Sequence, residues 1–142
     1  MKMSYSSPEI PFSLPVRVYY QDTDAGGVVY HSTYLDFMER ARYEWLRELG
    51  FHIHSLSQIH KVIFMVRSLG IEYFKPALLD DLLHITAQAA ELGRSRITIA
   101  QRVLRGDVTL AAATVQAVCV GVDSLKPVSV PAALRLKLGK LS

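Results

Sequence analysis

From Tyr34 to Gly50, the apolar residues Tyr34, Phe37, Met38, Ala41, Trp45, Leu46 and Leu49 recur at three- and four-residue steps. That spacing puts them on one stripe of an α-helix, and a stripe of that length must be buried against another surface. Glu39, Arg40, Arg42, Glu44, Arg47 and Glu48 fill much of the remaining surface, and Gly50 supplies a stop. Elsewhere the period is two or the run is continuously apolar, which predicts strands at 15–20, 62–74, 82–91, 94–104 and 109–122. The breaks at 76–81, 92–93 and 106–107 are short, so consecutive strands are expected to form antiparallel hairpins. One long helix laid on five antiparallel strands is an α+β arrangement. The last strand is apolar on nearly both faces, which predicts an interior position or a subunit contact. A single sheet on one helix leaves its outer face bare, so self-association is expected.

Half of the 142 residues are hydrophobic and a fifth are charged, which excludes a disordered chain and fits one domain spanning 1–142. Residues 1–14 read as an irregular lead-in, and 132–138 as a short helix. Nothing in the first residues has the apolar core of a secretion signal, and the most apolar stretch, 108–122, is shorter than the roughly 20 residues that a membrane-spanning helix needs. The single cysteine, Cys119, rules out an internal disulfide and points to a reducing compartment, hence the cytoplasm. His52, His54, His60 and His84 lack the spacing of a metal motif, so no metal is expected. The net charge of +3 is spread along the chain without a basic run, which argues against nucleic acid as a partner and leaves a mild field that suits a small phosphorylated ligand.

The most unusual local composition lies between Tyr19 and His31, where Tyr20, Asp22, Asp24, Gly26, Gly27 and Tyr30 crowd the link between the first strand and the helix. Unsatisfied N–H groups at a helix start carry the positive end of the dipole and can receive a carbonyl oxygen or an oxyanion. A carboxylate beside them can attack an acyl group or activate water. The residues alone leave a second possibility open, in which Asp22 and Asp24 serve as turn caps and His31 is a surface side chain.

The run from Arg17 to Tyr34, with Glu39-Arg40-Ala41-Arg42 on the helix, Glu72-Tyr73-Phe74-Lys75-Pro76-Ala77 and Leu79-Asp80-Asp81, resembles the hotdog-fold acyl-CoA thioesterases. Within them it is similar to the YbgC type associated with the Tol-Pal envelope system, in the wider 4-hydroxybenzoyl-CoA thioesterase family. The resemblance implies a sheet wrapped on the long helix, a homodimer or homotetramer, and hydrolysis of acyl-CoA without metal or redox cofactor. It puts the catalytic carboxylate on Asp24, supporting roles on His31 and Tyr20, and the carbonyl-polarising amides near Tyr30 and His31. It maps acyl and pantetheine contacts to Phe64, Met65 and Val66, and contacts to the nucleotide end to Gly93, Arg94 and Ser95, of which only Arg94 is basic.

Two other activities share the fold. A hotdog dehydratase or isomerase shuttles protons between a His and an acid, but the His-to-Pro motif of the dehydratases follows neither His31 nor His84. A non-enzymatic scaffold would hold an acyl thioester or an acidic acyl carrier protein without releasing thiol, and the positive charge makes such a carrier a candidate partner.

Overall fold

The computed structural model describes residues 11–139. Along the chain come β1 (Phe12–Arg17), a 3-10 turn (Tyr20–Asp22), α1 (Thr33–Glu48), α2 (Ile53–Gln58), β2 (Val62–Tyr73), β3 (Leu82–Leu92), β4 (Arg96–Arg105), β5 (Val108–Gly121) and α3 (Ala132–Gly139). The strands form one five-stranded sheet in the order β1-β3-β4-β5-β2, and every pair is antiparallel. With α1 against one face of that sheet, this is the expected hotdog arrangement.

The helix stripe is buried as its period requires, with Tyr34, Phe37, Met38, Ala41, Trp45 and Leu46 all turned inward. It serves two clusters. The C-terminal half, through Trp45 and Leu46, packs with Ile97, Val115 and Cys119 of the sheet and with Leu134 and Leu138 of α3. The N-terminal half, through Tyr34, Phe37 and Met38, packs with Leu83, Ile85, Ala111 and Ala77. Full burial of a side chain such as Phe37 stabilises by about 1.5–3 kcal/mol. Between the clusters the buried Gln101 bolts helix to sheet: its amide donates to the Met38 and Thr86 carbonyls and its oxygen accepts from Arg42. The helix ends at Gly50, φ +95°, where Phe51 N–H bonds to Leu46 O and Gly50 N–H to Arg47 O, a paired closure that favours glycine at the left-handed position.

Three expectations need correction. First, β1 lies earlier than the alternation at 15–20 implied: it covers Phe12–Arg17, so the irregular lead-in stops before Phe12, while its part up to residue 10 falls outside the described residues. Pro15 is tolerated there because β1 is an edge strand. Second, Tyr20 is not a strand residue with an inward face; it sits in the 3-10 turn and is 82% exposed. Third, β2 and β3 are not a hairpin. β2 pairs with β5, and β3 with β1 and β4, so residues 74–81 cross the end of the sheet, held by Phe74 and Lys75 N–H on Leu110 O and by Val18 on Asp80 and Asp81. The helix α2 has no counterpart among the expected elements; His52 opens it, its Nδ1 accepting from Ser55 N–H. β5 is interior, between β4 and β2, and the short helix expected near the C-terminus is present as α3. Cys119 is fully buried, and burial pushes its thiol up to about 11, so it is a core residue.

Candidate active site

The acid-rich segment folds as two consecutive turns. In the first, Asp22 N–H bonds to Tyr19 O and the Asp22 carboxylate takes Tyr19 N–H at 2.8 Å, while Thr23 closes onto Tyr20 O through both its N–H and its hydroxyl. In the second, Asp24 N–H bonds to Val28 O, Gly27 N–H to Asp24 O, and Gly26 N–H to Asp24 Oδ1 at 2.8 Å. Gly27 has φ +81°, the left-handed conformation that this tight reversal demands. The reversal folds the chain back on itself, pairing Thr23 with Val29 and bringing Tyr30 N–H onto Asp22 O at 3.1 Å.

The link 74–81 forms the floor. Val29 N–H bonds to Ala77 O, Val28 bridges Leu78, and the buried Tyr34 hydroxyl accepts Ala77 N–H at 2.9 Å. Below this, Asp81 accepts from Leu78 N–H and pairs with Arg105 at 2.8 Å. Burial pushes the Asp81 carboxyl up, but those two donors outweigh it and hold it below the ordinary value. A crossing of the sheet end, read from sequence as a tight turn, is therefore what seats the acid loop.

Asp22 acts as a turn residue. Asp24 caps its own turn through one oxygen, and its other oxygen makes no hydrogen bond among the described residues. At the helix start, Thr33 N–H bonds to Tyr30 O and Leu35 N–H to Ser32 O, whereas His31 N–H and Ser32 N–H have no partner among the described residues. Ser32 stands at the N-cap without a side-chain capping bond. The Tyr30 N–H, expected among the polarising amides, is committed to Asp22 O. The His31 ring lies against Tyr30, with centroids 4.4 Å apart, and faces Tyr73 at 6.4 Å. No hydrogen bond, ion pair or ring contact joins Asp24, His31 and Tyr20 to one another among the described residues; each is exposed, on the segment between β1 and α1.

Beside the helix start is a cleft of about 280 Å³ walled by His31, Tyr34, Tyr73, Phe74 and Lys75. A second pocket, about 300 Å³, lies further along α1, where Trp45, Leu46, Phe64, Val66 and Ile99 make apolar walls and Arg42 and Glu39 supply polar ones. A larger depression of about 590 Å³ lies elsewhere, over Gly70, Gln88, Ala100, Ala112 and Thr114, and takes in none of the candidate residues.

The mapped substrate contacts separate accordingly. Phe64 and Val66 face the pocket along α1; Met65, between them on the strand, turns to the other face of the sheet. Gly93, Arg94 and Ser95 form the tip of the β3–β4 hairpin, where Arg135 donates to the Gly93 and Arg94 carbonyls and Cys119 N–H bonds to Ser95 O. That tip lies at the far end of β3 from the acid loop, about 30 Å along the strand. One protomer therefore does not bring the nucleotide contacts to Asp24.

Sequence reasoning passed over Tyr73. Its hydroxyl donates to His31 O at 2.9 Å, and burial, with Tyr34 beside it, raises its pKa. The signal available was the alternation along β2, which turns Tyr73 toward the helix side with Ile71 and Leu69.

The thioesterase-like superfamily profile matches residues 18–138. The acyl-CoA thioesterase YbgC of Haemophilus influenzae is 48% identical over 120 residues, covering 84% of this chain and 88% of that protein. The acyl-CoA thioester hydrolase YbgC of Escherichia coli is 44% identical over 121 residues, covering 84% and 90%. Among solved structures, a probable thioesterase from Bartonella henselae superposes with a TM-score of 0.82 at 36% identity, covering 86% of this chain and all of that one.

Proposed function

This chain belongs to the thioesterase-like superfamily, and from that premise we propose that it hydrolyses acyl-CoA thioesters to free acid and coenzyme A. The observation that carries the reading is the conjunction at the acid loop: an Asp24 oxygen without a hydrogen bond among the described residues and, at the helix start beyond the reversal, the His31 and Ser32 N–H groups, which have no partner among them. In this reading the thioester carbonyl oxygen lies toward the His31 and Ser32 amides, which stabilise the negative charge as the carbonyl carbon becomes tetrahedral. Asp24 works on that carbon by one of two routes. Direct attack forms a mixed anhydride as the C–S bond breaks and the thiolate leaves, and water then cleaves the anhydride. General-base catalysis takes a proton from water, whose oxygen bonds to the carbon before the thiolate departs with a proton. Single turnover in oxygen-labelled water separates them, because label found in the Asp24 carboxylate marks the anhydride route. His31 and Tyr20 assist, the imidazole by protonating the leaving thiolate and the phenol by hydrogen bonding.

The working unit is a homodimer or homotetramer. β2 is a 12-residue edge strand with Met65 and Val66 about half exposed, a liability in an isolated chain. Two copies pairing antiparallel along β2, near the irregularity at Val66–Ser68, carry Phe64 of each toward the Tyr73 end of the other. The acyl wall of Phe64 and Val66, and the Gly93, Arg94 and Ser95 tip, then serve the acid loop of a neighbouring copy. The reading keeps the cytoplasm as compartment on the strength of the unpaired Cys119. Its test is release of free thiol from acyl-CoAs running from acetyl to palmitoyl, plus benzoyl, with sedimentation of the same sample. No thiol from any of them refutes the hydrolase, and a fully active monomer refutes the shared site.

A further inference from the structure

β2 ends at Tyr73, whose hydroxyl reaches across 42 residues of sequence to the His31 carbonyl at 2.9 Å. The reach is braced: the Tyr73 ring stands edge-on to Tyr34 with centroids 5.2 Å apart, and Tyr34 is buried with its own hydroxyl on Ala77 N–H. The acceptor is a carbonyl that the start of α1 leaves open, since Leu35 N–H bonds to Ser32 O and does not reach back to His31. His31 thus sits between two anchored peptide planes. On one side the Tyr30 carbonyl takes Thr33 N–H; on the other the His31 carbonyl takes the Tyr73 hydroxyl.

A planar trans peptide carries its N–H opposite its C=O. Fixing those two oxygens therefore fixes the directions of the His31 and Ser32 N–H groups, pointing away from their anchors, and both are unbonded among the described residues. The geometry points to Tyr73 as a positioning residue for thioester hydrolysis: by holding the His31 carbonyl, its hydroxyl aims the Ser32 amide, beside that of His31, at the thioester oxygen, an inference that rests on the hydrolase reading above. A phenol is protonated at neutral pH and can donate, and partial burial raises its pKa further. Donors of this kind act through being oriented before charge develops, so loosening the anchor costs rate while leaving ground-state binding in place.

The test is Tyr73→Phe, which keeps the ring and its contact with Tyr34 and removes the donor. In the intact protein, kcat toward an accepted acyl-CoA is expected to fall by about tenfold to a hundredfold with KM within about twofold. In the free protein, the carbonyl-carbon resonance of His31 is expected to shift and the Ser32 amide to lose order on the fast timescale, while the melting temperature changes little. Wild-type kcat in Tyr73→Phe, with the wild-type protein active, overturns the inference and leaves the hydrolase standing. An inactive wild type overturns the hydrolase, and the resonances still decide the anchor: unchanged His31 and Ser32 signals in Tyr73→Phe overturn it.

Discussion

The Gly26 N–H donates to Asp24 Oδ1 at 2.8 Å, so one carboxylate oxygen holds the turn while the other is left free of hydrogen bonds among the described residues. The turn cap is therefore one role of this side chain, and the proposed role as reactive group falls to the other oxygen. Asp24→Asn keeps a capping oxygen and removes the charge, so thiol release is expected to fall by about 10²–10⁴-fold with the melting temperature nearly unchanged. Gly26→Ala tests the coupling, because a Cβ there would stand 3.3 Å from Asp24 Oδ1 and push on it. A loss of about tenfold is expected. Near-normal turnover in Asp24→Asn removes this residue from the chemistry.

The proposed site would use His31 in two separable ways. Its N–H has no partner among the described residues, and its ring packs on Tyr30 without a hydrogen bond to Asp24. His31→Ala leaves the amide and deletes the imidazole, and the expected result is a kcat loss of about 10²-fold that lessens for acyl thioesters with more acidic leaving thiols. Activity within a few-fold of wild type assigns the residue to its main chain alone.

Asp81 ties the floor of the site to β4 through Arg105 and caps Leu78 N–H. Its carboxyl lies below the ordinary 3.8, so the folded state holds fewer protons than the unfolded one around that pH. The stabilisation is present above the unfolded value and disappears as pH falls through the lower folded value. Asp81→Asn is expected to cost about 1 kcal/mol at neutral pH, and the gap from wild type to close in denaturation series taken below about pH 4. A gap that widens on acidification contradicts the assignment.

What was legible beforehand follows from how far each signal reaches along the chain. The stripe from Tyr34 to Leu49 is local and repeated, and it described α1 almost to its ends. Phe12 and Leu14 carry the same alternation as Val16, but Pro11 and Pro15 mask it, and only the edge position of β1 makes Pro15 harmless. No local pattern says which strands are neighbours, so the run from Pro76 to Asp81 looks like a hairpin turn and turns out to cross the sheet. The turn around Asp24 was visible through the acids and glycines that crowd it. Tyr73 was not, because its meaning depends on His31, 42 residues away.

Phe64 and Met65 are adjacent in sequence but face opposite sides of β2, and only Phe64 lines the pocket beside Trp45 and Leu46. If the acyl group of a neighbouring site enters that pocket, Phe64→Ala enlarges it and shifts preference toward longer or bulkier acyl groups. Each methylene so accommodated is worth about 1–3 kcal/mol in kcat/KM. Met65→Ala removes a comparable side chain from the other face and is expected to leave the acyl profile as it was, whatever it does to association between copies. Measuring kcat/KM from acetyl- to palmitoyl-CoA for both variants, with sedimentation alongside, separates pocket from interface. The same shift in both variants, or in neither, means that the acyl group does not enter this pocket.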